Sequence, residues 1–452
     1  MTGSALTRLE QEIHVAYGAR TSASRAWHER ACKSLVGGVS GTVRYFRPYP
    51  LYFQHGQGAH TTDLDGNDYV DCFLCGACLL LGHRAPEIMA AIAETFGAGS
   101  LVLNPTLSTE LAESIQALVP GAERVRLLNS GTEAVMSALR FARAFTGRPK
   151  IIKFAGTYHG QADEMLTGLD DRPGRVGAGV TAASVSELIV ARLGDLDGLL
   201  KLLAQADVAA ILLDPTMHHC GLWAGGSVLY QTMKEMAHAA GSLLIFDEVI
   251  SGFRIAVGGA QEYFGVTPDL AVFGKALGAG ERIGAVTGRA DVMAVADPAR
   301  RIRGPFAFQS GTGNDSRNAV ASAHAALATY AKFGRDSRYE AISVLAARLA
   351  AGLRLAFTER GIACHTNQLG PMVRLFLTAG PATPEHCGML DPKPVNLFHL
   401  ALVTEGVLTI PGSNDFFLSF AHTDDDIDNI LSAARCVLAR FDFRPVTQGT
   451  AA

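Results

Sequence analysis

PDLAVFGKALGAG, residues 268–280, is the stretch on which the fold turns. Leu270–Gly274 is a short apolar run that reads as a buried strand. Lys275 stands at its end, wedged among glycines. A buried ammonium is costly unless it is paired, solvated or used covalently. The neighbouring segments show what such a lysine could serve.

Working outward, the same pattern recurs. RVRLL (124–128) ends in NSGTEA, KIIKF (150–154) in AGTYHG, VAAILLD (208–214) at Asp214 and SLLIFD (242–247) at Asp247-Glu248. Helical segments such as AVMSALRFARAF (134–145) and YQTMKEMAHAAG (230–241) fall between them. This alternation predicts an α/β fold with a mostly parallel sheet wrapped by helices. Asp214, Asp247 and Lys275 follow one another at roughly the 30-residue interval of a βαβ unit.

Elsewhere the pattern differs. GAHTTDLDGNDYVD predicts a hairpin around Asp65-Gly66. STELAESIQALVPG predicts a helix capped by Ser108 and stopped at Pro120-Gly121. After about residue 320, helices from AVASAHAALATYAKFG and AISVLAARLAAGLRLAF, a strand from MVRLFLT and a last helix with the acidic start TDDDID predict a smaller α+β domain. The expected division is 1–75 as an N-terminal segment serving the small domain and an active-site loop. Residues 76–320 form the large domain and 321–452 the small one.

The 452-residue chain is 48% apolar, has 48 glycines and carries a net charge of −4, which does not suit a general nucleic-acid binder. No stretch reaches the ~18–20 unbroken apolar residues of a membrane span. The N-terminus mixes charges and lacks a signal-peptide core, so a cytoplasmic protein is expected. Three of the eight cysteines form CFLCGAC (72–78), but Gly82 stands where a ferredoxin-type run places its fourth cysteine. The expectation is no metal site. Lys275 is followed by Ala276, so FGKA is not a P-loop, and no G-x-G-x-x-G follows a strand.

In open α/β sheets, ligands bind beyond the carboxyl ends of the strands. There the sequence collects a small polar turn suited to an anion (Ser130, Gly131, Thr132), an aromatic ring (Tyr158), an acid (Asp247) and an amine (Lys275). Pyridoxal 5′-phosphate uses all four: a lysine for its aldehyde, an acid for its ring nitrogen, a ring to stack on and an anion site.

NSGTEAVMSALRFARAFTGR, KFAGTYHG, LLIFDEVISGFR, PDLAVFGKALGAG and FQSGTGN, in that order, resemble the class III aminotransferases of fold type I pyridoxal phosphate enzymes. GGVSGTVRYF, IGAVTGR and LSFAHTDDDID are most similar to the branch of glutamate-1-semialdehyde aminomutase and β-amino-acid aminotransferases. The resemblance implies that Lys275 is the Schiff-base lysine and that Asp247 pairs with the pyridine nitrogen. It implies Ser130, Gly131 and Thr132 on the phosphate, with Tyr158 and Val249 on the two ring faces. Thr312 would reach the phosphate of a neighbouring subunit in a homodimer with shared active sites, and Arg44 would hold a substrate carboxylate.

The chain also departs from the aminomutase pattern, with Gly76 for a tryptophan, His219 for an asparagine and Ala155 for an acidic residue. Gly194 replaces another asparagine, and PGSNDFF, with Asp415, replaces a stretch containing glutamate. His219 thereby becomes a candidate substrate contact. GSNDFFLSF also lacks the C-terminal arginine that many relatives use for an α-carboxylate, leaving Arg44, Arg254 and Arg317 as candidates. The expected activity is transamination or aminomutation of an amino acid or related amine. The alternative is an ammonia-releasing lyase or a racemase on the same cofactor. A non-catalytic binding protein is the third reading, and the retention of Lys275, Asp247 and the polar turn argues against it.

Overall fold

A computed structural model describes residues 2–99, 103–169, 177–205, 207–302, 304–378, 380, 383 and 392–444. The chain divides into two compact units. One comprises Met1–Ala85, Glu340–Ala382 and Met389–Ala452, the other Pro86–Tyr339 and Thr383–Gly388.

The second unit is built on a seven-stranded sheet. Its order is Arg124–Leu128, Gly284–Gly288, Leu270–Phe273, Leu243–Asp247, Val208–Leu213, Lys150–Phe154, Leu188–Ala191. Gly284–Gly288 is antiparallel to both of its neighbours, and the pairings from Leu270–Phe273 to Leu188–Ala191 are parallel. Val208–Leu213 and Leu243–Asp247 are buried along their whole length. That is why they read as continuous apolar runs without alternation: a parallel sheet is covered on both faces. The helix Gly131–Thr146 covers one face through Ala134, Val135, Ala138, Leu139, Phe141 and Ala142. Its first turn is capped by Ser130, whose hydroxyl accepts the Glu133 N–H.

Sequence and structure differ at several places here. Leu188–Ala191 and Gly284–Gly288 are strands that the apolar-run criterion passes over, the second because it is GAVTG, with small residues and a glycine at each end. The helix expected to be capped by Ser108 runs Thr106–Leu118 from an extended Pro105. Ser108 lies inside its first turn and gives its hydroxyl to Asp315. The helix Arg317–Arg335 belongs to this larger unit rather than to the smaller one. Ser322 bonds Gly278 O at 2.7 Å and Tyr330 bonds Ala276 O at 2.9 Å, tying the helix to the turn after Lys275.

In the first unit, Phe53–Gln57, His60–Asp63, Asp68–Asp71 and Val407–Leu408 form one sheet, with the hairpin turning at Asp65-Gly66 as expected. His365–Leu369, Met372–Phe376 and Asp415–Phe417 form another. The helix Asp424–Arg440 opens on a capping box between Thr423 and Asp426. The helix Arg338–Thr358, with 21 residues and mean hydropathy 1.5, is long and apolar enough to cross a membrane. Arg348 and Arg354 interrupt its apolar run, Arg348 pairs with Asp424 and Asp428, and Ile342, Leu349, Leu353 and Phe357 are buried.

CFLCGAC forms a tight left-handed turn in which Leu74, Cys75, Gly76 and Ala77 all have positive φ. Cys72 is buried and Cys75 exposed. Among the described residues, no three His, Cys, Asp or Glu side chains group as a metal site. Cys387 lies outside the described residues.

Candidate active site

Because every strand of the larger sheet except Gly284–Gly288 runs the same way, their carboxyl ends bring the expected residues to one rim. A cavity of about 210 Å³ opens there. Its lining includes Ser130, Gly131, Thr132, Tyr158, Asp247, Val249 and Lys275, together with His159 and His219.

Ser130 and Gly131 stand where the strand Arg124–Leu128 turns into the helix Gly131–Thr146, so backbone N–H groups of the first helical turn are available to an anion. Gly131 is required by packing: a Cβ there would lie 2.8 Å from a methyl of Val249. Gly160, at φ +96°, likewise presses on Thr132, whose hydroxyl would lie 2.7 Å from an added Cβ.

Asp247 ends the strand Leu243–Asp247 and is 7% exposed. Its Oδ1 accepts the Val249 N–H at 3.0 Å, and its Oδ2 meets His159 Nδ1 at 2.6 Å. Next to it, Glu248 faces into the protein and accepts from the Ala260 N–H, Gln261 and Ser251. Burial pushes Glu248 up to about 7 despite these donors. Tyr158 remains 41% exposed, and its ring lies 5.4 Å from that of His219, centroid to centroid. Burial, and next the charge of Asp247, raise its hydroxyl above the usual value. Lys275 opens the short turn Lys275–Gly278 with φ +45°, a conformation that costs a non-glycine residue energy and collects at functional positions.

Other candidates are placed elsewhere. Asp214 lines the cavity, but its oxygens take the Thr216 N–H, the Thr216 hydroxyl and the His218 N–H, so it shapes its own turn. Thr312 is exposed on a loop packed against Asn129 and is not among the residues lining the cavity. Arg254 is fully buried, with Nε donating to Ile250 O, and Arg317 begins the helix Arg317–Arg335; neither lines the cavity. Arg44 belongs to the first unit, where it is exposed and donates to the Ser40 hydroxyl at 3.2 Å.

Reading strand ends did not assign a role to His159, although YHG announces an imidazole beside the aromatic ring. An anion turn, a buried acid, an amine and an aromatic ring around one small cavity fit a planar phosphorylated aldehyde with a basic ring nitrogen.

Comparison with known proteins agrees with this chemistry. The sequence pattern of the family "Aminotransferase class-III" matches residues 44–356. A glutamate-1-semialdehyde 2,1-aminomutase of Rhodopirellula baltica is 38% identical over 431 residues, covering 92% of this chain and 95% of that protein. Among solved structures, an omega-transaminase from Sphaerobacter thermophilus superposes with a TM-score of 0.86 at 31% identity, covering 92% of this chain and 97% of its own. A β-phenylalanine aminotransferase from Variovorax paradoxus does so with a TM-score of 0.84 at 29% identity, covering 95% and 97%. The family match and the length of the shared chain make this protein a member of the class III aminotransferases, enzymes that work with pyridoxal 5′-phosphate.

Proposed function

We propose that the cavity carries out transamination of an amino acid or related amine, with Lys275 as the residue that links to the cofactor aldehyde. The observation that supports this most is the convergence of Lys275, Asp247 and the Ser130–Thr132 turn on one cavity. When bound, pyridoxal 5′-phosphate supplies an aldehyde for imine chemistry and a protonated ring that takes up an electron pair. In this reading Ser130, Gly131 and Thr132 hold the phosphate, Asp247 keeps the ring nitrogen protonated, and Tyr158 and Val249 cover the two ring faces. Lys275 would link to the cofactor aldehyde and, as a free amine, would move the proton at the substrate carbon.

His219, exposed beside Tyr158, and Arg44 are the proposed substrate contacts. In this reading Thr312, exposed on its loop, serves the phosphate of a second copy in a homodimer.

The test is a single half-reaction. A panel of amines and amino acids is added to the holoenzyme without an oxo-acid, and the cofactor absorbance is followed. A suitable donor converts the cofactor stoichiometrically to its amino form, and Lys275→Ala abolishes turnover. Ammonia release, or solvent deuterium uptake without net conversion, would replace transamination by elimination or racemisation. An isomerised product formed without an acceptor would identify an aminomutase.

A further inference from the structure

Lys153 lies one residue before the end of the strand Lys150–Phe154 and is fully enclosed. Its Nζ donates to Thr157 O at 2.8 Å, to Thr167 O at 2.9 Å and to Met165 O at 3.3 Å. An ammonium has three hydrogens, and three carbonyls take them. A neutral amine, with two, would leave one buried carbonyl without a donor. Burial lowers Lys153 to about 8, partly opposed by the Cys220 thiol, so the charged form persists at neutral pH.

All three carbonyls belong to the segment that leaves the sheet after Phe154 and returns, closed at its base by the Gly156 N–H on Gly168 O at 2.8 Å. The tip of that segment supplies Tyr158, His159 and Gly160 to the cavity. Thr157 gives its hydroxyl hydrogen to Phe154 O at 2.6 Å, so its oxygen can only accept from His159 Nε2, 2.9 Å away. Nε2 therefore carries a hydrogen, while Nδ1 meets Asp247 at 2.6 Å. The ammonium thus holds the Thr157 backbone, the Thr157 hydroxyl holds His159, and His159 lies against the acid.

We propose that Lys153 is a positioning residue for the cofactor site: one enclosed ammonium anchors the 155–167 segment and, through Thr157 and His159, orients Asp247. The inference rests on the reading of Asp247 as the partner of the ring nitrogen. Lys153 touches neither cofactor nor substrate in it. Its effect is to hold an acid and a stacking ring at the distance the cofactor requires.

The experiment compares Lys153→Met and Thr157→Val with Ile151→Val, a core substitution on the same strand. Variants are compared at equal distance below their own melting temperatures. Hydrogen exchange of the 155–167 amides is read in the cofactor-free protein. Pyridoxal phosphate affinity and the pH midpoint of the cofactor absorbance are read in the holoenzyme. The expected result is exchange at least tenfold faster and affinity at least tenfold weaker in Lys153→Met, with a shifted midpoint. Thr157→Val should shift the midpoint in the same direction while leaving exchange nearer wild type, and Ile151→Val should change neither.

Unchanged exchange in Lys153→Met, or faster exchange with affinity and midpoint equal to the Ile151→Val control, overturns the proposal. If Lys153→Met fails to fold, the midpoint in Thr157→Val decides it, and a wild-type midpoint there overturns it. Failure of the wild-type protein to bind pyridoxal phosphate would instead overturn the functional reading.

Discussion

Asp247 in the larger unit and Asp415 in the smaller are both buried aspartates at strand positions, and they are used in opposite ways. Asp415 begins the strand Asp415–Phe417 and gives both oxygens to the guanidinium of Arg374, with the Ser413 hydroxyl on one of them. Asp247 engages His159 through one oxygen and a single backbone N–H through the other, and it lines a cavity. A bidentate fork consumes a carboxylate, whereas a histidine orients it and leaves its edge to a ligand. Burial alone therefore does not identify a functional acid; what occupies its oxygens does.

The largest effect that would test this contrast is on stability. Asp415→Ala takes its carboxylate partner from the buried Arg374 and should cost about 3–5 kcal/mol of unfolding free energy, measured by denaturant titration. Cofactor affinity should change little once the protein is folded. Asp247→Asn should do the reverse. Turnover should fall about 10²–10³-fold, the usual loss when one electrostatic partner of a reacting centre is removed, while the melting temperature stays near wild type. If the two variants exchange phenotypes, the comparison is broken.

Replacing the smaller unit's pair by apolar residues, Arg374→Met with Asp415→Leu, should leave stability unchanged or raise it by about 1–4 kcal/mol. A loss as large as that of Asp415→Ala would show that the pair has a further role. The smallest effect concerns Glu248, which burial raises from 4.5 to about 7. Because the folded value lies above the unfolded one, its contribution is fully present below about pH 4.5 and is lost as pH rises through about 7. Glu248→Gln should flatten that part of the stability–pH profile in thermal melts recorded from pH 4 to 8.

The residues that could be read from sequence are those at the ends of apolar runs. Lys275, Asp247, Ser130 and Tyr158 each interrupt a hydrophobic pattern just where a strand must stop, and a parallel sheet gathers all such ends on one side. Lys153 breaks the same pattern inside KIIKF, but its acceptors are backbone carbonyls up to 14 residues away, and carbonyls have no letter in a sequence. Arg374 escapes the same reading for a different reason. MVRLF predicts a strand, but nothing in that pattern says that the arginine is buried and bound to Asp415. GAVTG was passed over because small residues carry little hydrophobic signal, although every residue of that strand is buried.

That inconspicuous strand sets the order in which the enzyme can be assembled on the ribosome. Arg124–Leu128, which leads into the Ser130–Thr132 turn, stands at the end of the larger sheet and pairs with Gly284–Gly288, whose other neighbour is the strand leading to Lys275. Leu128 meets Gly284 and Phe273 meets Ala285, so a single late strand stitches the anion turn to the lysine. Its residues are translated roughly 160 positions after their first partner, on the order of ten to thirty seconds at common elongation rates. A nascent chain that ends between Lys275 and Gly284 therefore holds the anion turn and Lys275 without their common seam. The binding cradle becomes whole only after more than half of the polypeptide has been made.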